Sequence, residues 1–116
     1  MKVVAVVQAD SGVLVASAVA VADSFLSRLR GLLARPPMSK EQGLLLLKCG
    51  SVHTVGMGYP IDVAFLDAEG TVVRNVVDLE PWRLGIGGAG AVHALELPAG
   101  RLRETGTVPG VRLNWS

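Results

Sequence analysis

Ile61-Asp62-Val63-Ala64-Phe65-Leu66-Asp67-Ala68-Glu69-Gly70-Thr71-Val72-Val73-Arg74-Asn75-Val76-Val77 holds two aliphatic, β-branched runs around four residues of turn chemistry. The runs predict strands at 61–66 and 71–77, and Gly70 can take the positive φ that closes a hairpin between them. Alternation places Ile61, Val63 and Phe65 on one face of the first strand and Asp62, Ala64 and Leu66 on the other, so Asp62 shares its face with apolar neighbours. If Asp67 pairs with Thr71, Ala64 lies opposite Arg74 and Asp62 opposite Val76, which leaves Arg74 diagonal to the acid. Two uses of the carboxylate follow. It pairs with Arg74, or it accepts backbone N–H bonds from the glycine-containing loop before it and pins that loop to the sheet.

The same patterns recur on both sides of this hairpin. Residues 2–8 and 13–21 are rich in Val and Ala around Asp10-Ser11-Gly12, which predicts an opening hairpin. Residues 43–48 form a short apolar run suited to a strand covered on both faces. Downstream, 84–90 is glycine-rich and is expected to be loop, 91–97 reads as a strand, Pro98-Ala99-Gly100 as a turn, and 111–115 as the closing strand. One segment has helical spacing: Asp23 can cap a helix carrying Phe25, Leu26, Leu29, Leu32 and Leu33, which Pro36-Pro37 stops. The expected fold is mainly β, a small barrel-like antiparallel or mixed sheet of about seven strands with one packed α-helix over about residues 23–35.

The chain has 116 residues, half of them hydrophobic, which suits one core and predicts a single domain over residues 1–116. Lys and Arg total 11 against 10 acids, a formal charge of +1 without a basic run, so no nucleic-acid partner is expected. Aromatics are 4% of the chain, too few for a base-stacking platform. Cys49 is the only cysteine, which excludes an internal disulfide. Gln8, Asp10, Ser11 and Gly12 interrupt the early apolar run, so neither a signal peptide nor a transmembrane segment is expected and the cytoplasm is the default location.

The polar residues that could carry chemistry gather in Ser51-Val52-His53-Thr54-Val55-Gly56-Met57-Gly58-Tyr59-Pro60-Ile61-Asp62. His53 could serve as base, ligand or hydrogen-bond partner, with the Thr54 hydroxyl beside it. Glu96 shares its strand face with Val92 and Ala94 and is a second acid among apolar neighbours. Two such acids can divide acid and base work, or they can clamp a loop or an arginine such as Arg28. His93 is expected to pack half-buried, and Trp82, at the Pro81 bend, to plug an open end of the core. Cys49, His53 and His93 do not complete a tetrahedral metal set, so no metal or other cofactor is expected. Gly85-Ile86-Gly87-Gly88-Ala89-Gly90 formally matches a phosphate-loop pattern, but a strand follows it where a helix is required.

Taken in order, Ala22-Asp23, Arg28, Gly31-Leu32, Gly43-Leu44, His53-Thr54-x-x-Met57-x-x-Pro60-Ile61-Asp62-Val63-x-Phe65-Leu66-Asp67, Pro81-Trp82 and Leu95-Glu96-Leu97-Pro98-Ala99-Gly100 resemble domain of unknown function 192. The resemblance runs from about Val13 to near the end of the chain. The family's commoner form has Met-Lys-Asn-Thr around the central motif. Here Met57-Gly58-Tyr59-Pro60 follows His53-Thr54, which resembles a variant subgroup and leaves no lysine or asparagine role to carry over. The resemblance implies a compact, mostly β, barrel-like fold with one packed helix, and it supplies no reaction, cofactor or substrate. Relatives near pilus-assembly or secretion genes point to an accessory role.

The leading expectation is a ligand-binding or accessory module with a polar patch of His53, Thr54, Met57, Asp62, Glu96 and Arg28. Its partner would be a small ligand or a protein, and the chain itself a monomer or weak homodimer. One alternative is a small hydrolase or isomerase using Asp62 or Glu96 as general base with His53, the catalytic candidates. Another is an interaction module that pairs through a sheet edge.

Overall fold

In the computed structural model, residues 2–22 and 37–116 are described. The helix expected over about residues 23–35, and Arg28 with it, lies outside them. Among the described residues nine strands follow in chain order: β1 (Lys2–Gln8), β2 (Leu14–Ala22), β3 (Gln42–Leu46), β4 (Ser51–His53), β5 (Ile61–Leu66), β6 (Val72–Leu79), β7 (Leu84–Ile86), β8 (His93–Pro98) and β9 (Leu113–Trp115). One short helix, α1 (Arg101–Thr105), sits between β8 and β9. Pro98-Ala99-Gly100 predicts only a turn, and the helix that follows it is seen in the structure alone.

Seven strands form one sheet in the order β6-β5-β8-β3-β2-β1-β9, while β4 and β7 pair separately as a ribbon. The sheet is mixed: β2 and β3 run parallel, and its other neighbours are antiparallel. It curls far enough that its two edge strands approach at one end, where Thr71 bridges Arg112 and Val72 N–H donates to the Val111 carbonyl at 2.8 Å. The result is a half-barrel. The mainly β expectation holds, with β5 buried at every position and β3 at all but its first.

The central hairpin forms as its turn chemistry requires. Asp67 Oδ1 accepts the N–H groups of Glu69 and Thr71, both at 2.9 Å, and Gly70 takes φ +87°. A Cβ at Gly70 would lie 2.7 Å from the Leu113 carbonyl oxygen, so close approach of β9 demands glycine as firmly as the turn does. The register differs from the one expected. An irregularity between Phe65 and Leu66 sets Arg74 opposite Phe65 and Asn75 opposite Ala64, which removes Arg74 from the diagonal position beside Asp62, and a second lies between Ile61 and Val63.

Residues 84–90 also differ, because Leu84–Ile86 is a strand, not loop. A side chain at Gly85 would meet Leu79 at 3.1 Å and Val52 at 3.4 Å, and one at Gly87 would meet the Phe65 ring at 2.7 Å. The glycines let backbone lie directly on the core.

Two apolar clusters cover the two faces of the sheet. One holds Val6, Val19, Leu45, Ala64, Leu66, Leu95 and Leu97 with Leu102 of α1. The other holds Leu44, Leu46, Ile61, Val63, Phe65 and Ala94 with Val52 and Met57, from β4 and the loop after it. The β4–β7 ribbon therefore roofs the second face.

Candidate functional site

Asp62 is buried on the first of these faces, at 1% exposure. Its Oδ1 accepts the N–H of Asp78 at 2.9 Å, and its Oδ2 accepts those of Gly100 at 3.0 Å and Leu102 at 3.2 Å. One carboxylate thus joins two features. It holds the β6 irregularity, where Asp78 takes φ +52°, and it supplies the side-chain acceptor that Gly100, the N-cap of α1, lacks. Of the two uses expected, amide acceptance is the one realised. The donors come from β6 and the start of α1, not from the loop preceding Asp62.

Glu96 lies on the opposite face. Its register partners are Leu44 and Val63, both in the second cluster, whereas Asp62 pairs with Leu97 of the first. Glu96 is fully buried, and neither carboxyl oxygen has a hydrogen-bond partner among the described residues. Burial pushes its pKa up to about 8, so the group is mainly protonated at neutral pH.

The His53-Thr54 pair divides between surface and interior. His53 is exposed, and its Nδ1 accepts the Val55 N–H at 3.3 Å. Thr54 is fully buried. Its hydroxyl donates to the Glu80 carbonyl at 2.5 Å and accepts the Arg83 N–H at 2.8 Å, while its carbonyl accepts the Trp82 N–H at 3.0 Å. These bonds tie β4 to the Glu80-Pro81-Trp82-Arg83 turn. Met57 is a core residue beneath the ribbon, at 4% exposure. His93 is half-buried: its Nδ1 accepts the Lys48 N–H at 3.0 Å and its ring meets Trp115 edge-on at 6.2 Å. The Cys49 Sγ donates to the Ser51 carbonyl at 2.8 Å. No group of three or more His, Cys, Asp or Glu side chains with metal-site geometry occurs among the described residues.

The tightly tied turn presents Trp82 to solvent at 68% exposure, instead of plugging the core. Its backbone takes φ +63° after Pro81, in the left-handed region where glycine or asparagine is usual. A tryptophan there costs about 1–2 kcal/mol relative to an unstrained backbone. Next to it, Gly85 faces the core, so Leu84 and Ile86 project outward at 63% and 54% exposure. Leu84 pairs with His53 and Ile86 with Ser51, both exposed, and Val55 just beyond β4 is exposed too. The outer face of the ribbon is thus an apolar strip with one imidazole. Its sequence signal was the alternation Trp82-x-Leu84-x-Ile86 about Gly85, hidden by the glycines that follow.

A family model for DUF192, described as an uncharacterized ACR, matches residues 5–115. The chain belongs to the DUF192 family. This DUF192 chain is 33% identical over 104 residues to a UPF0127 protein of Thermococcus sibiricus, covering 84% of its own length and 65% of the relative's. It therefore spans just under two thirds of that relative. A UPF0127 protein of Pyrococcus horikoshii is 35% identical over 100 residues, with 84% and 86% covered. Among solved structures, the DUF192 fold is similar to a candidate transcription regulator of Sinorhizobium meliloti, with a TM-score of 0.82, 25% identity and 97% and 92% of the two chains covered. It is also similar to a protein of unknown function from Novosphingobium aromaticivorans, with a TM-score of 0.83, 18% identity and 97% and 84% covered. No helix among the described residues is long and apolar enough to cross a membrane.

Proposed function

We propose that this DUF192 chain is an accessory binding module that docks an apolar segment of a partner protein on the outer face of the β4–β7 ribbon. The observation that carries this reading is Trp82, held exposed in a strained left-handed backbone beside exposed Leu84 and Ile86. Strain retained at a surface aromatic has no packing benefit to offset it, and exposed tryptophan with aliphatic neighbours is the composition of binding hot spots. His53 supplies the strip's one titratable group, and Thr54 acts from beneath by fixing the turn.

The hydrolase or isomerase alternative has less support, because it needs acids converging with His53. Asp62 lies on the other face of the sheet with its carboxylate engaged by three amides. A role in transcription regulation, the one the Sinorhizobium meliloti protein is named for, is also less favoured if it requires binding DNA. The formal charge is +1, and the described helix has five residues, too short to fill a major groove.

The test is site-specific photo-crosslinking in extract of the producing cells, with a benzophenone amino acid at position 84 and, as control, at exposed position 108. One discrete adduct from position 84 that Trp82→Ala abolishes is expected. Equal adducts from both positions, or none from position 84, would overturn the reading.

A further inference from the structure

We propose that Glu96 is the polar contact of a second, internal binding site beneath the ribbon, for a neutral molecule carrying a hydrogen-bond donor and acceptor side by side on an apolar body, as a primary carboxamide or lactam does. This site is distinct from the outer face of the ribbon and does not depend on it.

The argument starts from an unmet demand. Glu96 is fully buried, and both its oxygens lack partners among the described residues. Its register neighbours Leu44 and Val63 are aliphatic, and Ala94, two residues earlier on its strand, is a methyl. Buried carboxyls are ordinarily satisfied, as Asp62 is by three amides on the other face. A leucine would fill the position without the cost of an orphaned polar group.

The surroundings select the ligand's chemistry. A cation would create an ion pair with no further donors to satisfy the carboxylate's remaining lone pairs, so desolvation would exceed the Coulombic gain. An anion would be stripped of water against an aliphatic wall with a single O–H to hold it, and a group with a single donor or acceptor would leave one oxygen orphaned. Burial pushes the carboxyl's pKa up to about 8, so near neutral pH it is mainly protonated, and a neutral carboxyl offers one O–H donor and one carbonyl acceptor side by side. Its complement is a neutral acceptor–donor pair. The register neighbours of Glu96, Leu44 and Val63, belong to the apolar cluster that also holds Val52 and Met57, which favours an apolar body. Access is through the roof: β4–β7 is a separate sheet of two three-residue strands, the kind of element that opens locally at low free energy.

The experiment measures thermal unfolding of the wild type, Glu96→Gln and Glu96→Leu with millimolar benzamide, benzylamine or toluene as probes. Benzamide is expected to raise Tm of the wild type and of Glu96→Gln in a concentration-dependent way, with benzylamine and toluene giving no comparable rise. The wild-type response should fade well above pH 8 as the donor is lost, while that of Glu96→Gln persists. Glu96→Leu should be more thermostable than the wild type and blind to benzamide. No benzamide response in the wild type, an equal response in Glu96→Leu, or a Glu96→Leu protein less stable than the wild type would each overturn the proposal. Trp82→Ala should leave the benzamide response unchanged, which separates this site from the outer face.

Discussion

Asp62 and Glu96 lie on neighbouring strands one register step apart, Asp62 opposite Leu97 and Val63 opposite Glu96, and on opposite faces of one sheet. They cannot act on one substrate atom, and their surroundings differ as sharply as their positions. Asp62 collects three backbone donors from β6 and the start of α1, whereas Glu96 has none among the described residues. One acid organises the backbone, and the other stores a cost.

Asp62→Asn is expected to destabilise the fold by about 1–3 kcal/mol, because an amide has one accepting oxygen and turns its NH2 donors toward backbone N–H groups at the other position. Urea unfolding measures the loss. Amide hydrogen exchange should speed up first at Asp78 and Leu102, and uniform acceleration across the sheet would contradict the anchoring role.

Glu96 makes stability depend on pH with a definite sign. Its folded pKa is about 8, above the ordinary 4.5, so the folded state binds the proton more tightly than the unfolded state does. This contribution is complete below pH 4.5 and falls as pH rises, by about 1.4 kcal/mol per unit, until it levels off above pH 8. Unfolding of Glu96→Gln from pH 5 to pH 9 should lack this slope, and the two proteins should diverge most at the alkaline end. Parallel profiles would show that Glu96 ionises as freely folded as unfolded.

Trp82→Gly is expected to stabilise the protein, or at least to leave it unchanged, although it removes the largest side chain of the turn. The left-handed φ of +63° suits glycine, and relief of about 1–2 kcal/mol opposes the entropy that glycine adds to the unfolded chain. A drop in Tm of several degrees would mean that the indole packs on the folded protein.

Thr54→Val removes the hydroxyl that donates to the Glu80 carbonyl and accepts from the Arg83 N–H, a loss of about 1 kcal/mol for each part-buried bond. The loss should concentrate in the ribbon, with faster hydrogen exchange at 51–53 and 84–86 and little change in β5 and β8. Loss confined to global unfolding would argue against the ribbon as a separately opening unit.

Local rules reached a good part of this architecture. Alternation in Ile61–Leu66, the Asp67 to Gly70 turn, the apolar run at 43–48 and the order of motifs from Gly43 to Gly100 sufficed for a mainly β, barrel-like sheet of the DUF192 family, with Asp62 and Glu96 among apolar neighbours. Each of those signals is carried by residues close together in the chain, where turn chemistry and the two-residue period act directly.

What residues distant in the chain do to one another was set only by folding. The irregularity between Phe65 and Leu66 in the β5–β6 pairing moved Arg74 away from Asp62, and the start of α1, 38 residues downstream, supplied amides in its place. Leu84–Ile86 became a strand because Gly85 and Gly87 allow the backbone to lie on Leu79, Val52 and Phe65. That contact turned Leu84 and Ile86 outward and left Trp82 in solvent. A carboxyl's neighbours, and the side of a sheet it serves, depend on which strands meet and in what register, and that is decided by packing of the whole chain.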